Sequence, residues 1–345
     1  MKKILCICHI VENRFDGQQS KTNDVLSSFK NRGYEIDILN YGSKSIFKAV
    51  LAFFKKIKSH NNILLLPGGK RALYLYTFLS KFYKKKNFYY LAIGGWVSGL
   101  IENKKSRRKL TPLKKFKRIV LQNTQTVELF KSYGYDNVTF IPTFSSKKQI
   151  TEDEFNQSLI SFDKAKEYRF CFFARIEETK GIFEACNVIK RLVNNNYNVK
   201  LDIYGQIQKK ELEEKITHYL DSNIKYMGVV HDDSIKILSS YYCMLFPTYY
   251  PGEGMAHSII ESFMGGLPVI ASDWHFNSEL VKDNETGFLI NLDKLEENLY
   301  NKIVFSINNK DLIRKMRYIC FEQSKQYNSD AVLKPFIDFV DELNK

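Results

Sequence analysis

The sequence predicts an α/β protein built from two doubly wound, Rossmann-like domains, and three observations lead to this fold class. The chain has 345 residues, which is long for one domain and ordinary for two. Signals for buried strands alternate with signals for helices in both halves, as is typical of parallel sheets covered by helices. Charge is divided unevenly: residues 1–150 carry 29 Lys and Arg against 8 Asp and Glu, a net of +21, whereas residues 151–345 carry 23 against 30, a net of −7.

The first half alternates strands and helices from its beginning. Residues 3–10 form a short apolar run that predicts a buried strand, and polar residues by position 12 end it too early for a secretory signal peptide. Gly33 predicts the end of a helix over 19–32, and a strand over 34–40 follows. The other predicted elements of this half are helices at 44–58 and 71–83 and strands at 62–69, 88–95, 118–123 and 138–143.

A second series of strands and helices follows a polar, acidic segment at 145–167, part of which we interpret as an interdomain linker. We therefore expect domains at 1–150 and 165–325, with residues 326–345 forming a C-terminal helix that packs back toward the first domain. That helix ends a helical stretch predicted from about 310 to 343. The predicted elements of the second domain are strands at 169–175, 199–205, 224–230, 243–248 and 267–273 and helices at 181–195 and 209–221.

Several kinds of protein are disfavoured by patterns that the sequence lacks. No stretch approaches the roughly 20 apolar residues that span a bilayer, so we expect a protein that is soluble or lies on a membrane surface. No G-x-G-x-x-G follows a predicted strand, which disfavours a dinucleotide-dependent dehydrogenase, and GQQSKT (17–22) lacks the features of a P-loop kinase. No helix-turn-helix, zinc finger or RNA-recognition motif occurs, so nucleic acid is not an expected partner.

The cysteines predict neither disulfides nor a metal site. They show no CxxC pair and no Cys/His spacing of the zinc-binding kind. Most lie in apolar segments, and we expect free, buried thiols in a reducing cytoplasm. They are Cys6, Cys8, Cys171, Cys186, Cys243 and Cys320.

The strongest chemical signal is the block at 247–273, PTYYPGEGMAHSIIESFMGGLPVIASD. Glu253 lies between two glycines in a loop after a predicted strand, and a helix is expected to begin near Met255 to Ser258. Free N–H groups and the positive dipole end at a helix start favour a phosphate or pyrophosphate. Glu261, on the first turns of that helix, can accept hydrogen bonds from a ribose diol.

A second signal, FARIEETKG (173–181), places two cations at the carboxyl end of a sheet. Arg175 ends a predicted strand, and Lys180 stands just before a predicted helix. Arginine can bind two phosphate oxygens at once, and lysine adds a compact charge. The pair suits a diphosphate whose negative charge increases as it departs. His9 and His231, near strand ends, are weaker candidates for such a site.

With these motifs the second half resembles retaining glycosyltransferase family 4, of the GT-B fold, in which two Rossmann-like domains face each other across a cleft. The resemblance covers roughly residues 170–290, and the first half matches more loosely through its segment at 17–39. The matching segments, in the family's order, are FARIEETKG (173–181), LDIYGQ (201–206), IKYMGVV (224–230), the block with Glu253 and Glu261, LPVIASD (267–273) and NETGFLI (284–290).

The resemblance implies a role for each residue that matches the family's motifs. Arg175 and Lys180 would bind the donor diphosphate and Glu253 would contact the transferred sugar near the reacting centre, which makes these three the candidate catalytic residues. Glu261 would hold the ribose hydroxyls. The further donor-binding candidates are Gly254, Met255, Ala256 and His257 for sugar and phosphate, Val229 against the base, Gly205, and Gly17, which would approach the diphosphate from the other domain.

One loop departs from the family's pattern. Many members carry a histidine after the strand that here ends LAIGGWVSG, and Gly94, Gly95 and Trp96 stand in its place. We take these three as candidate acceptor-binding residues, with Trp96 either lining the acceptor pocket or packing in the core. The resemblance implies no cofactor and no metal, because the nucleoside-diphosphate sugar is the substrate and its departing diphosphate can itself assist the incoming hydroxyl.

The basic first half predicts contact with an anionic membrane. A basic amphipathic helix at 44–58, an aromatic segment at 72–86 that ends in three lysines, and basic clusters at 104–109 and 114–118 are the candidate contact surfaces. The alternative is that the apolar stripes face the domain core and the lysines are merely solvated.

Together these features predict a cytoplasmic glycosyltransferase, peripheral on the inner face of the cell membrane. It would move a hexose-type sugar from a nucleoside-diphosphate sugar to a lipid-linked glycan, with retention, in the synthesis of a bacterial surface polysaccharide such as capsule or lipopolysaccharide. The alternatives are a GT-B phosphorylase or epimerase, and a non-catalytic membrane-surface scaffold of the same fold.

Overall fold

A computed structural model describes residues 2–10, 17–42, 46–230 and 233–343. The chain divides into two units. The first unit consists of the residues up to Ser146 together with those from Tyr327 onward, and the second is Lys147–Gln326.

The described part of the first unit contains a six-stranded sheet in the order β2-β1-β3-β4-β5-β6. Every pair of neighbouring strands is parallel, as expected when a helix crosses over between successive strands. The strands are β1 (Lys2–Cys8), β2 (Tyr34–Asn40), β3 (Asn62–Leu66), β4 (Asn87–Leu91), β5 (Arg118–Leu121) and β6 (Val138–Phe140).

Both faces of this sheet are covered, so its central strands are apolar on both sides. Successive side chains of a strand point to opposite faces, and in β1 Leu5 belongs to one apolar cluster while Ile4 belongs to another. Phe53 and Tyr76 contribute to the cluster that contains Leu5. The helices before the second unit are α1 (Gly17–Asn31), α2 (Ile46–Ile57), α3 (Lys70–Ser80), α4 (Val97–Glu102), α5 (Lys104–Leu110) and α6 (Thr124–Ser132).

The second unit repeats this architecture with its own core. Its described residues form a six-stranded sheet in the order β12-β11-β10-β7-β8-β9, again parallel throughout. The strands are β7 (Tyr168–Phe173), β8 (Val199–Tyr204), β9 (Ile224–Gly228), β10 (Cys243–Phe246), β11 (Val269–Ser272) and β12 (Gly287–Ile290). The helices are α7 (Glu152–Lys164), α8 (Ile182–Asn194), α9 (Lys210–Thr217), α10 (Ser234–Ser239), α11 (His257–Met264), α12 (Asn277–Leu280), α13 (Leu295–Asn308) and α14 (Lys310–Ser324).

Helix α7 lies in the acidic segment that the sequence analysis takes in part as a linker, and it was not predicted. A capping box starts it: the Thr151 side chain accepts from the Glu154 N–H, and the Glu154 carboxylate accepts from the Thr151 N–H. Phe155, Leu159 and Phe162 recur at helical spacing and are buried. The capping pattern and this spacing are both readable in the sequence.

The predicted helical stretch from 310 to 343 is divided rather than continuous. Helix α14 ends at Ser324 in the second unit, and a new helix, α15 (Ser329–Glu342), begins in the first unit with Asn328 as its N-cap. On α15, Leu333 and Phe336 are buried in the cluster that contains Ile4. This helix therefore completes the core of the first unit.

The structure confirms the predicted fold class of two doubly wound, Rossmann-like domains. The six cysteines are free and buried, as expected from their apolar surroundings. Over the residues that the structure describes, every helix is too short or too polar to cross a bilayer.

Each sheet has a point at which the strand order reverses, and such points are the usual ligand sites of doubly wound folds. In the first unit, the chain leaves β1 toward β2 and returns to the other side of β1 with β3. In the second unit, it runs from β7 through β8 to β9 and returns to the other side of β7 with β10. Loops that follow β1 and β3, or β7 and β10, diverge there and leave a crevice.

The packing of α15 leads to a stability prediction. Phe336→Ala should lower the free energy of unfolding by about 3–5 kcal/mol, because it removes a buried ring from the core of the first unit. The matched control is Phe82→Ala, whose ring is 65% exposed and should matter little. Urea unfolding followed by circular dichroism measures both variants, and equal losses would contradict the assignment of α15 to this core.

Candidate functional site

Polar side chains from two loops meet at the strand reversal of the second unit. Arg175 and Lys180 follow β7, and Thr248 and Glu253 follow β10. Glu261 comes from helix α11, which continues the chain after the second loop. These groups lie at the carboxyl ends of adjacent parallel strands, where the fold predicts a ligand.

Glu253 is buried and held by two donors. The Lys180 Nζ lies 2.6 Å from the Glu253 Oε2, and the Thr248 hydroxyl donates to the same oxygen at 2.8 Å. Among the described residues none donates to the other oxygen, Oε1. The carboxylate is therefore fixed in orientation and keeps one oxygen for a ligand hydroxyl.

Lys180 is buried beside the aromatic ring of Tyr250. Its Nζ lies 4.8 Å from the centroid of that ring, a cation–π contact. A lysine ammonium has three donor hydrogens, and the bond to Glu253 takes only one of them. Lys180 can thus bind an anionic ligand while it remains paired.

Hydrogen bonds and a close backbone contact hold the loop that carries Glu253 in place. The Tyr249 N–H donates to the Thr179 carbonyl at 2.8 Å, and the Trp274 indole donates to the Tyr250 carbonyl at 2.8 Å. Gly181, in the left-handed region at φ +76°, starts α8 against this loop, and a Cβ there would lie 2.2 Å from the Pro247 carbonyl oxygen. Only glycine allows this approach.

Arg175 is positioned by a similarly close contact between two strand ends. A Cβ on Gly205 would lie 1.8 Å from the Ala174 carbonyl oxygen, so the loop after β8 presses directly on the backbone that carries Arg175. The guanidinium is partly exposed, lies 3.7 Å from Glu177, and stands 5.6 Å from the centre of the Tyr250 ring. A partly exposed guanidinium with such a distant carboxylate partner is available for a ligand.

Glu261 is buried and surrounded by three donors. The His257 Nδ1 lies 2.9 Å from its Oε1, the Lys147 Nζ lies 3.0 Å from the same oxygen, and the Ser234 hydroxyl donates to its Oε2 at 2.7 Å. Lys147 also donates to the Ser234 hydroxyl at 2.7 Å, which closes the cluster.

These contacts set the charge of Glu261. Burial by itself would raise the pKa of this carboxyl group, because it removes the charged form from water. The hydrogen bond and charge of His257, with the charge of Lys147 and the hydrogen bond from Ser234, outweigh burial and lower the pKa to about 2. Glu261 is therefore a carboxylate at neutral pH.

Helix α11 starts without a side-chain cap. Its N-cap residue is Ala256, which has no side chain that could accept from the first N–H groups. Gly254 and Met255 precede it, so the start of the helix can approach a ligand closely. Uncapped N–H groups and the helix dipole together favour a negatively charged group.

Most of the predicted donor residues belong to the second unit. Gly205 and Val229 follow the neighbouring strands β8 and β9, and the Gly205 N–H donates to the Gly228 carbonyl at 2.9 Å. His231 lies outside the described residues. The predicted residues that belong to the second unit are Arg175, Lys180, Gly205, Val229, Glu253, Gly254, Met255, Ala256, His257 and Glu261.

Four predicted residues belong to the first unit: Gly17, Gly94, Gly95 and Trp96. The roles of all the predicted site residues, in both units, stay predictions. Gly17 is the first residue of α1. Gly94 has a φ of +90°, which favours glycine there. The Trp96 indole donates to the Ile93 carbonyl at 3.1 Å, and its ring packs partly against the core.

Sequence reasoning missed Lys147, Thr248, Ser234 and Tyr250. Thr248 is the last residue of the strand predicted at 243–248, so its position at a carboxyl end was a usable signal. Lys147 and Ser234 are distant from Glu261 in sequence and carried no signal. Within the described ranges, no group of His, Cys, Asp and Glu side chains is arranged to hold a metal ion.

A protein-family model matches most of the second unit. Residues 153–322 match the model of the family described as glycosyl transferases group 1. The matched segment is just under half of the chain and includes Arg175, Lys180, Glu253 and Glu261.

Two curated proteins illustrate what the chain is similar to. It is 29% identical, over 121 residues, to the capsular polysaccharide biosynthesis glycosyltransferase CapM of Staphylococcus aureus, a match that covers 34% of this chain and 31% of that protein. It is 21% identical, over 170 residues, to the poly(glycerol-phosphate) alpha-glucosyltransferase of Bacillus subtilis (strain 168), covering 48% of this chain and 24% of that protein. The chain thus spans about a third or less of these relatives.

Among solved structures, the complex of Anabaena Alr3699/HepE with UDP-glucose is similar over its whole length. The TM-score is 0.77 at 13% identity, with 99% of this chain and 100% of that chain covered. At this identity the likeness shows the fold, a two-domain GT-B arrangement of Rossmann-like units. The family match and the curated relatives support a role in glycosyl transfer.

The surroundings of Glu261 lead to a pH prediction. Its pKa is lowered on folding from an ordinary 4.5 to about 2, so its contribution to stability is present above pH 5 and is lost as the pH falls toward 2. Glu261→Gln should therefore cost about 2–3 kcal/mol of unfolding free energy at pH 7, and the difference from the native chain should shrink below about pH 4.

Urea unfolding at a series of pH values from 7 down to 3 measures this difference. The control is Glu285→Gln, since Glu285 is exposed and no described side chain pairs with it. A difference between Glu261→Gln and the native chain that stays constant with pH would refute the assigned charge state.

Proposed function

We propose that this chain is a retaining glycosyltransferase that moves a hexose-type sugar from a nucleoside-diphosphate sugar to a glycan acceptor in the synthesis of a bacterial surface polysaccharide. One observation carries the proposal: two buried carboxylates, Glu253 and Glu261, lie with two cations and an uncapped helix start at one strand reversal. The set falls within the segment that matches a glycosyltransferase family model.

Each part of the donor has a matching group in this site. Arg175 and the free N–H donors of Lys180 bind the diphosphate, assisted by the start of α11. Glu261 accepts hydrogen bonds from the ribose hydroxyls. Lys147 then either moves off the carboxylate or continues to donate to it beside the ribose. The free Oε1 of Glu253 accepts from a hydroxyl of the sugar. Val229, at the end of β9, lies against the base.

The same groups assist the chemical step. The bond between the anomeric carbon and the diphosphate oxygen breaks, and its electron pair leaves on the diphosphate. Arg175 and Lys180 offset the negative charge that grows there, so they bind the transition state more tightly than the ground state. The acceptor oxygen attacks from the same face and passes its proton to the departing diphosphate, which retains the configuration.

A UDP-sugar is the first donor to test. Anabaena Alr3699/HepE, which shares the fold, was solved in complex with UDP-glucose. The acceptor is proposed to be a lipid-linked glycan, with capsule as the first product to examine. CapM, a relative of this chain, is named for capsular polysaccharide biosynthesis.

A membrane surface on the first unit would bring such an acceptor within reach. On α2, Phe47 and Leu51 are one turn apart and are 72% and 53% exposed. Phe78 and Phe82, at the end of α3, are 52% and 65% exposed and contact each other. Helix α2 and the region after α3 pack together through Phe54 and Tyr83.

Only part of the predicted amphipathic stripe at 44–58 is free for this purpose. Phe53 and Ile57 are buried in the core, and Val50 and Phe54 pack against it. Lys56 pairs with Asp37 at 2.8 Å, whereas Lys55 and Lys58 are exposed. Exposed apolar side chains flanked by lysines are typical of a surface that lies on anionic lipid.

Removing the Arg175 guanidinium should impair transfer without unfolding the protein. Arg175→Ala should lower kcat/KM by on the order of 10- to 100-fold, because charge-assisted hydrogen bonds to the diphosphate are lost. The assay follows sugar transfer from UDP-, GDP-, ADP- and dTDP-sugars, and circular dichroism checks the fold. The control is Arg191→Ala, which removes an exposed arginine from α8. Unchanged turnover in Arg175→Ala would contradict the assignment of Arg175 to the donor diphosphate.

Removing the exposed apolar residues of α2 should weaken binding to vesicles. The double variant Phe47→Ser and Leu51→Ser should bind vesicles of anionic phospholipid at least about tenfold more weakly in a flotation assay at low salt, since two inserted side chains are lost. The control is Ile38→Ser with Phe140→Ser, two exposed residues elsewhere in the unit. If the native chain does not bind such vesicles, the membrane proposal is wrong.

A further inference from the structure

A second crevice lies in the first unit, at its own strand reversal. A cavity of about 320 Å³ opens at the carboxyl ends of β1, β2 and β3. It is lined by His9, Tyr41, Gly68, Gly69, Lys70, Arg71 and Ala72. In doubly wound sheets with the strand order 2-1-3, the crevice between the first and third strands is a phosphate-binding position.

The walls of this cavity are fixed by contacts within the unit. The Gly68 N–H donates to the Tyr41 hydroxyl at 2.6 Å, and the rings of His9 and Tyr41 stack with centroids 5.5 Å apart. A Cβ on Gly68 would lie 2.2 Å from the Gln18 Nε2, so the start of α1 reaches the same loop. The Tyr41 oxygen accepts from Gly68 and keeps its own hydrogen to donate.

Charge at this cavity is positive among the residues that the structure describes. Lys70 and Arg71 are exposed on the first turn of α3, and no described carboxylate pairs with either. The sequence has no Asp or Glu between Asp37 and Glu102. The N-terminus of a helix carries a partial positive charge, which repels these cations. Their position is unfavourable unless an anion binds there.

The floor of the cavity leaves room for a ligand. Gly69 is the N-cap of α3 and offers no side chain to the N–H groups of the first turn. A Cβ at Gly69 would meet no described atom within 4 Å, so a ligand can approach this backbone closely. Burial also raises the pKa of Tyr41, which keeps its hydroxyl protonated as a donor.

We propose that this cavity binds a phosphate or diphosphate group through Lys70, Arg71, the Tyr41 hydroxyl and the uncapped start of α3. Lys70, Arg71 and Tyr41 all line the cavity, and cations, a phenol hydroxyl and backbone N–H groups together suit a tetrahedral group with several oxygens. All of its residues belong to the first unit, whereas Arg175, Lys180, Glu253 and Glu261 belong to the second.

The identity of the molecule that carries this phosphate rests on the proposed function. A glycosyltransferase that extends a lipid-linked glycan must hold an acceptor whose sugar is joined to its lipid through phosphate. A cationic crevice in the unit that also exposes Phe47 and Phe78 fits that group. A soluble phosphate ester would have the same chemistry at the site, so the experiment includes both sources.

Direct titration tests the site without any need for turnover. Inorganic pyrophosphate is titrated calorimetrically into the full chain saturated with UDP, so that the donor site is already filled. Lys70→Met with Arg71→Met should weaken this binding by on the order of 10- to 100-fold, because charge-assisted hydrogen bonds are lost. Arg175→Ala should leave it unchanged.

The matched control is Lys84→Met with Lys85→Met, which removes the same charge from exposed positions after α3. Equal weakening by both double variants would overturn the proposal, because it would reflect overall charge rather than a site. Absence of pyrophosphate binding to the native chain would overturn it as well. If UDP itself fails to bind, the titration is repeated without it in the Arg175→Ala chain, which separates failure of this site from failure of the proposed function.

A second pair of titrations distinguishes the two sources. One uses glucose 1-phosphate in solution, and the other uses vesicles of neutral phospholipid with and without a short-chain polyprenyl diphosphate. Binding that rises with the diphosphate lipid and falls in Lys70→Met with Arg71→Met assigns the site to a lipid-linked acceptor. Binding of glucose 1-phosphate alone assigns it to a soluble phosphate ester. If binding depends on Lys70 and Arg71 in neither of the two titrations, the proposal is contradicted.

Discussion

The reversal of strand order in each parallel sheet is the constraint on which the rest of this molecule depends. Parallel strands align their carboxyl ends along one edge, and the loops on either side of a reversal must diverge. In the second unit this brings Lys180, which follows β7, to within 2.6 Å of Glu253, which follows β10, although 73 positions separate them. The side chains of the candidate site are therefore brought together by the topology of the sheet rather than by local sequence.

Charge in the candidate donor site is balanced before any ligand arrives. Glu253 is buried against Lys180, and Glu261 against His257 and Lys147, so neither carboxylate is left unpaired in a region of low dielectric. Toward the described residues, the first pair keeps unused capacity at Oε1 of Glu253 and at two ammonium hydrogens of Lys180. Both oxygens of Glu261 already accept from donors, so a ligand there must share them or displace Lys147.

The two units differ in the partners that their surfaces suit. The second unit concentrates paired charges in a buried crevice, as recognition of a small donor molecule requires. The first unit is strongly basic and exposes Phe47, Leu51, Phe78 and Phe82. Lys70 and Arg71 lie at its strand reversal, and no described carboxylate pairs with either. The proposal that this unit holds an acceptor with both lipid and phosphate rests on these features.

The fold class and most of the helices and strands could be predicted from the amino-acid sequence, which also pointed to Glu253 and Glu261 as candidate site residues. Alternating strand and helix signals specify a parallel sheet, because apolar runs and helical spacing are local properties of the chain. Glu253 and Glu261 stood out because glycines and a helix start surround them within one short segment. Helix α7 was missed although its capping box was readable, since the acidic composition of the segment favoured a linker.

The residues that contact Glu261 from distant parts of the chain could be identified only from the three-dimensional contacts. Lys147 and Ser234 surround Glu261 from 114 and 27 positions away, and no periodicity or spacing in the sequence marks them. The structure also decided which side of α2 is free, burying Phe53 and exposing Phe47, because packing against the sheet selects one face of a helix that is apolar over most of its surface. Local pattern fixes what each segment becomes, whereas contacts between segments depend on the order in which the strands pair.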